Sequence, residues 1–101
     1  MERLLVLDEG LPLRLAGELA ARGRRARSLR GPTRDEEVVA ALAGDEVLVT
    51  TDASLDRAGH ALALVVAHGE AAKRETVHRW AHAMATQPKG SLRRYTPRRI
   101  L

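Results

Sequence analysis

A chain of 101 residues, 45% of them hydrophobic and 30% charged, has the length and composition of one globular domain rather than a disordered segment. With no cysteine, disulfides, thiolate catalysis, Cys-type zinc sites and iron–sulfur clusters are excluded. One Trp, one Tyr and no Phe leave the core to Leu, Val and Ala and exclude a base-stacking nucleic-acid platform.

The net charge of +4 and isoelectric point near 10.6 suit a polyanionic or acidic partner, with a solvated Arg-rich surface as the plain alternative. The cations fall in two clusters. Arg22, Arg24, Arg25, Arg27 and Arg30 form one; Lys89, Arg93, Arg94, Arg98 and Arg99 form the other. No apolar run approaches the roughly 18 residues of a membrane span. Met1–Asp8 lacks the basic start and long apolar stretch of a secretory signal, so a cytoplasmic protein without membrane association is expected.

In chain order, Leu4–Leu7 is a short continuous apolar run of the kind a buried parallel strand shows. Pro12 follows where a helix tolerates it, and Leu13, Ala16, Leu19 and Ala20 recur at helical spacing up to Gly23. Arg25–Leu29 reads as a short strand near a sheet edge. After the Gly31-Pro32 turn, Thr33 with Glu36 forms a capping box, and Val38, Val39 and Leu42 make a short amphipathic helix. Val47–Val49 is a second buried strand, Ser54–Arg57 a turn or short helix, and Leu62–Ala67 a third apolar strand. Glu70–Thr86 is the longest helix, with Val77, Trp80, Ala81 and Met84 on one face. Pro88 and Gly90 end it, and the basic residues 86–101 form an extended tail or edge strand.

This alternation predicts a single α/β domain over 1–101: a mostly parallel central sheet with helices on both faces (α/β/α), joined by right-handed crossovers. In such sheets ligands gather beyond the carboxyl ends of the strands. Asp8 and Glu9 follow the first strand and Asp52 follows Val47–Val49, so Asp8 and Asp52 are expected to emerge together at one edge. Asp35, Glu36 and Glu37 open a helix facing that edge, and Asp56 lies one turn beyond Asp52. Converging carboxylates repel one another unless a cation neutralises them, and oxygen-only ligands suit Mg²⁺ or Mn²⁺. Asp35 and Glu36 also fit plain capping and helix-dipole roles. Asp8 and Asp52 each end an apolar run, where an unpaired carboxylate gains nothing structurally.

The run Leu4-Leu5-Val6-Leu7-Asp8-Glu9-Gly10-Leu11-Pro12, the Leu-rich helix Leu15–Arg22, the acid-opened Asp35-Glu36-Glu37-Val38 and the strand end Thr50-Thr51-Asp52 resemble, in order and spacing, the small PIN-like domains found as toxins of toxin–antitoxin pairs. The resemblance covers roughly residues 4–70. After Thr-x-Asp that family carries a further acid two residues on, followed by Phe; here Ser54 and Leu55 hold those places and Asp56 comes next.

The resemblance implies metal-dependent hydrolysis of RNA phosphodiesters. Asp8, Asp35 or Glu36, and Asp52 would hold Mg²⁺ or Mn²⁺, with Asp56 as a weaker ligand, and Thr50 or Ser54 would bond a bound water. Arg14 and Arg57 would hold a phosphate, and Arg93, Arg94, Arg98 and Arg99 would track the RNA backbone. A cognate antitoxin is the implied protein partner. The Val77–Met84 stripe is most simply core, with an antitoxin or homodimer contact as the alternative.

Two other readings stay open. One is a receiver-type phosphoacceptor, with Asp8 and Glu9 as the acidic pair and Asp52 phosphorylated. Its Thr or Ser after the fourth strand and its Lys after the fifth are missing, however. The other is a catalytically silent PIN-like binding module, motivated by the altered segment after Asp52. His78 and His82, four apart with Glu75 nearby, lack an HExxH pattern and read as a solvated face. His60 and His68 have no triad partner, and no Gly-rich phosphate loop is present.

Overall fold

A computed structural model describes residues 2–29, 42, 44–54 and 59–101. Among these residues there are five strands, β1 (Leu5–Leu7), β2 (Ala26–Ser28), β3 (Val47–Thr50), β4 (Ala61–Val65) and β5 (Leu92–Tyr95), and two helices, α1 (Leu15–Ala21) and α2 (Glu70–Ala85). The strands form one sheet in the order β2-β1-β3-β4-β5, every pairing parallel. The chain is therefore an α/β domain on a parallel sheet.

The sequence explains which strands are central. β1, β3 and β4 are apolar throughout but for Thr50 and are buried on both faces, as interior parallel strands must be. β2 (Ala-Arg-Ser) and β5 (Leu-Arg-Arg-Tyr) carry their charged residues on the two edges. Alternation sorts the side chains into two layers. Leu5, Leu7, Val47, Val49, Ala61, Ala63 and Val65 share one face with Leu15 and Leu19 of α1 and Val77, Ala81 and Met84 of α2. Val6, Leu48, Leu62 and Leu64 form the second buried layer with Leu42.

Among the described residues both helices lie on the same face. The helix expected around Thr33–Leu42, with its capping box, falls outside the described residues apart from Leu42. The shared face has a topological consequence. β1–α1–β2 steps one way along the sheet and β4–α2–β5 steps the other way, so their crossovers have opposite hand and one departs from the right-handed rule. α2 packs against β3 and β4 and reaches back to α1. There the Glu18 carboxylate accepts from Arg74 Nε (2.8 Å) and meets His78 Nε2 at 2.8 Å. Val77, Ala81 and Met84 are fully buried against the α1 side, as a core stripe requires, and Trp80 is partly buried beside them.

The tail is more structured than an extended strand. β5 pairs with β4, a turn at 96–99 reverses the chain, and Ile100 bridges back to Tyr95. Thr96 Oγ1 accepts the Arg98 and Arg99 N–H groups at 3.2 and 3.0 Å and so holds the turn. The Trp80 indole N–H donates to the Thr96 carbonyl at 2.8 Å. A buried polar link ties the tail to the sheet: the Tyr95 hydroxyl donates to Gln87 Oε1, and Gln87 Nε2 donates to the Leu62 and Ser91 carbonyls. Burial pushes the Tyr95 phenol upward from its ordinary value.

Candidate functional site

Winding in both directions from β1 and β3 makes the gap between these two strands the topological switch point, where open α/β sheets bind ligands beyond the strand carboxyl ends. Asp8 and Asp52 lie there, as expected: Leu7 is in register with Val49, and the Asp8 N–H donates to the Val49 carbonyl at 2.9 Å.

The Thr50 hydroxyl joins them. Thr50 is fully buried. Its Oγ1 donates to Asp8 Oδ2 at 2.7 Å and accepts the Asp52 N–H at 3.0 Å. One buried side chain therefore fixes both the Asp8 carboxylate and the backbone of Asp52. The other Asp8 oxygen accepts the Glu9 N–H at 2.8 Å, and Asp52 Oδ1 accepts the Ser54 hydroxyl and N–H at 2.7 and 2.9 Å. The Ser54 hydroxyl, and then its N–H, hold the Asp52 carboxyl below the usual carboxylate range.

Both carboxylates consequently have structural partners, which corrects the expectation that neither gains anything locally. They remain anionic groups without a cation: among the described residues, neither Asp8 nor Asp52 forms an ion pair. Asp52 Oδ2 has no hydrogen-bond partner there.

The loop between β1 and α1 is pressed onto this edge. A Cβ on Gly10 would lie 2.6 Å from Thr51 Oγ1, so any larger residue there would force the Thr51 hydroxyl to shift. Lys73, in the first turn of α2, reaches across to donate to the Gly10 carbonyl at 3.3 Å. Beside it a shallow crevice opens at the ends of β3 and β4, lined by Thr51, Ala53, Val66, Ala67, His68 and Lys73. Nothing in the local pattern marked Lys73, which reads as an ordinary helix-surface cation.

The remaining candidates divide. Asp35, Glu36, Asp56 and Arg57 lie outside the described residues. Arg14 is exposed at the start of α1, at the same sheet edge, beside Pro12, Glu70 and Arg74. Arg93 and Arg94 are exposed on β5, and Arg98 and Arg99 on the turn beyond its carboxyl end. With strands about 4.8 Å apart, β5 stands roughly 10 Å to one side of β3. Three arginines of the first cluster are engaged elsewhere, and Arg30 lies outside the described residues. Arg24 binds the Glu2 carboxylate at 2.7 Å, Arg25 donates to the Glu2 carbonyl, and Arg27 binds Glu46 at 2.9 Å, at or toward the opposite, amino edge. His78 is not on a solvated face as expected. Its side chain is 9% exposed, it bonds Glu18, and its Nδ1 has no described partner.

No group of three or more acids, histidines or cysteines suited to hold a metal occurs among the described residues. Two carboxylates at a strand switch point still fit Mg²⁺, which keeps several waters and takes one or two carboxylates together with substrate phosphates. Comparison with family models, with curated proteins and with solved structures yields no match.

Proposed function

We propose that this chain is a metal-dependent endoribonuclease with a PIN-like site, acting in the cytoplasm as the toxin of a toxin–antitoxin pair. The observation that carries this reading is the pair Asp8 and Asp52, on adjacent parallel strands and locked by the Thr50 hydroxyl, with no counter-ion among the described residues. A bound Mg²⁺ or Mn²⁺ would supply an activated water and charge neutralisation at the phosphoryl group.

The residues of this chain supply the rest. Thr50 donates to Asp8 Oδ2 and so directs its lone pairs. Ser54 keeps Asp52 ionised and leaves Oδ2 open toward solvent. Asp35 or Glu36, and Asp56, are proposed as further ligands on the strength of the sequence resemblance. Arg14, Arg57, Arg93, Arg94, Arg98 and Arg99 hold phosphates of the RNA backbone without reading bases, since guanidinium groups bind phosphate bidentately and carry no sequence code there.

Incubating purified protein with a structured RNA pool in Mg²⁺, Mn²⁺ or EDTA tests the reading. Cleavage that requires metal and drops by about two orders of magnitude or more in Asp8→Asn and in Asp52→Asn supports it, since losing a metal ligand removes several kcal/mol of transition-state stabilisation. A folded protein that binds RNA but cuts none under any metal would replace it with the silent binding module.

One observation favours the receiver alternative: the strand order β2-β1-β3-β4-β5 is the flavodoxin-like order that receivers share. Against it, β4 is followed by Val66-Ala67-His68 and β5 ends at Tyr95-Thr96. The hydroxyl residue and lysine of a phosphoacceptor site are therefore missing from those positions. Uptake of phosphate from acetyl phosphate at Asp52, without RNA cleavage, would establish that alternative.

A further inference from the structure

We propose that Lys73 anchors a backbone phosphate of the RNA at the carboxyl edge, beside the Asp8–Asp52 pair; the proposal rests on the ribonuclease reading and extends it. Three features of Lys73 lead there.

Its position is electrostatically unrewarded. It lies in the first turn of α2, where the helix macrodipole disfavours a cation, and it forms no ion pair among the described residues. Its one described side-chain bond is long, 3.3 Å to the Gly10 carbonyl. An ammonium has three donors, so two remain for a ligand.

Its direction is the second feature. The Gly10 carbonyl belongs to the loop that begins at Asp8, and that loop lies so close to Thr51 that a Cβ at Gly10 would stand 2.6 Å from Thr51 Oγ1 and force it to move. Lys73 is therefore held over the place where the loop after Asp8 meets Thr51, the residue before Asp52.

The third is the surface it lines. Thr51, Ala53, His68 and Lys73 border the crevice at the ends of β3 and β4. That crevice is a path by which a strand of RNA reaches from the carboxylate pair toward Arg98 and Arg99 on the turn after β5. A phosphate is the ligand whose charge and acceptor oxygens match an ammonium with two free donors. Lysine binds it as a point charge without the planar demands of guanidinium.

The test is binding of a short unstructured RNA in EDTA, where no metal-dependent cleavage occurs, measured across a salt series for wild type, Lys73→Gln and Lys73→Arg. Lys73→Gln is expected to bind about threefold to tenfold more weakly, with the slope of log affinity against log salt smaller by about 0.7, the value for one phosphate contact on a single strand. Lys73→Arg should restore both. A lysine that merely tethers the Gly10 loop would change the melting temperature and leave the salt slope alone. An unchanged slope in Lys73→Gln, or a wild type with no RNA affinity, overturns the proposal. Cleavage by wild type in Mn²⁺ is scored separately. Its absence, with the slope change present, would refute the nuclease chemistry while leaving Lys73 as an RNA contact.

Discussion

The two edges of the sheet both carry charged residues and use them in opposite ways. At the amino edge charges meet their opposites. Arg24 and His82 converge on Glu2, Arg3 binds Asp45 at 3.0 Å, and Arg27 binds Glu46. At the carboxyl edge Asp8 and Asp52 are held by hydroxyls and backbone N–H groups, and Lys73 by a carbonyl. Arg93, Arg94, Arg98 and Arg99 form no ion pair among the described residues. Charges neutralised within the chain stabilise the chain; charges oriented by neutral donors and left unneutralised are available to a ligand. Arginine content alone does not separate the two, because it is the pairing that differs.

The largest effect expected from breaking this contrast comes from Thr50→Val. The substitution keeps the shape of the buried side chain and removes the hydroxyl that both aspartates use. Two hydrogen bonds go, and the Asp52 N–H loses its acceptor, so a loss of about 1–3 kcal/mol is expected in denaturant unfolding. Metal affinity should fall with it even under conditions where the protein stays folded.

Exchanging the edges sharpens the contrast further. Arg98→Ala with Arg99→Ala should weaken RNA binding and lower the salt slope by about 1.4, the value for two single-strand phosphate contacts, with little change in melting temperature. Arg24→Ala should do the reverse, costing up to about 1 kcal/mol of stability, as partly exposed ion pairs do, and leaving RNA affinity in place. Equal losses of RNA affinity from both edges would erase the distinction.

The smallest effect concerns the tie between the helices. The Arg74 guanidinium, and then His78, hold the Glu18 carboxyl down at about 2, from an ordinary 4.5. Because the folded value is the lower one, the stabilisation is fully present above about 4.5 and is lost as pH falls toward 2. Glu18→Gln should therefore melt below wild type at neutral pH, and the gap should close across that acid window. A gap constant with pH would mean that the tie contributes through packing alone.

Much of this frame was legible in the sequence because it is local. Continuous apolar runs marked β1, β3 and β4, the helix over Glu70–Ala85 was bounded to within one residue, and an acid at the end of each of two runs placed Asp8 and Asp52 at one edge. What escaped depends on partners far away in the chain. Thr50 bonds Asp8 across 42 positions, Lys73 meets Gly10 across 63, and His78 meets Glu18 across 60. Periodicity records which face of a helix is apolar, and it does not record which neighbour meets the polar residues at the margin of that face. For the same reason the sequence does not show that Arg24 and Arg25 meet Glu2 and that Arg27 meets Glu46. The side of the sheet chosen by α2 was illegible too, since its Val77–Met84 stripe would bury equally well on either face.

The carboxyl edge, and Asp8 with Asp52 in particular, is proposed as a divalent-cation site. Titration of Mn²⁺ into wild type, Asp8→Asn and Asp52→Asn, followed by calorimetry or by the Mn²⁺ electron paramagnetic resonance signal, tests it most directly. Saturable binding to wild type that weakens at least tenfold in each variant, with all three proteins folded, is the expected result. Binding that is absent from wild type, or that survives unchanged when both aspartates are neutralised, would contradict it.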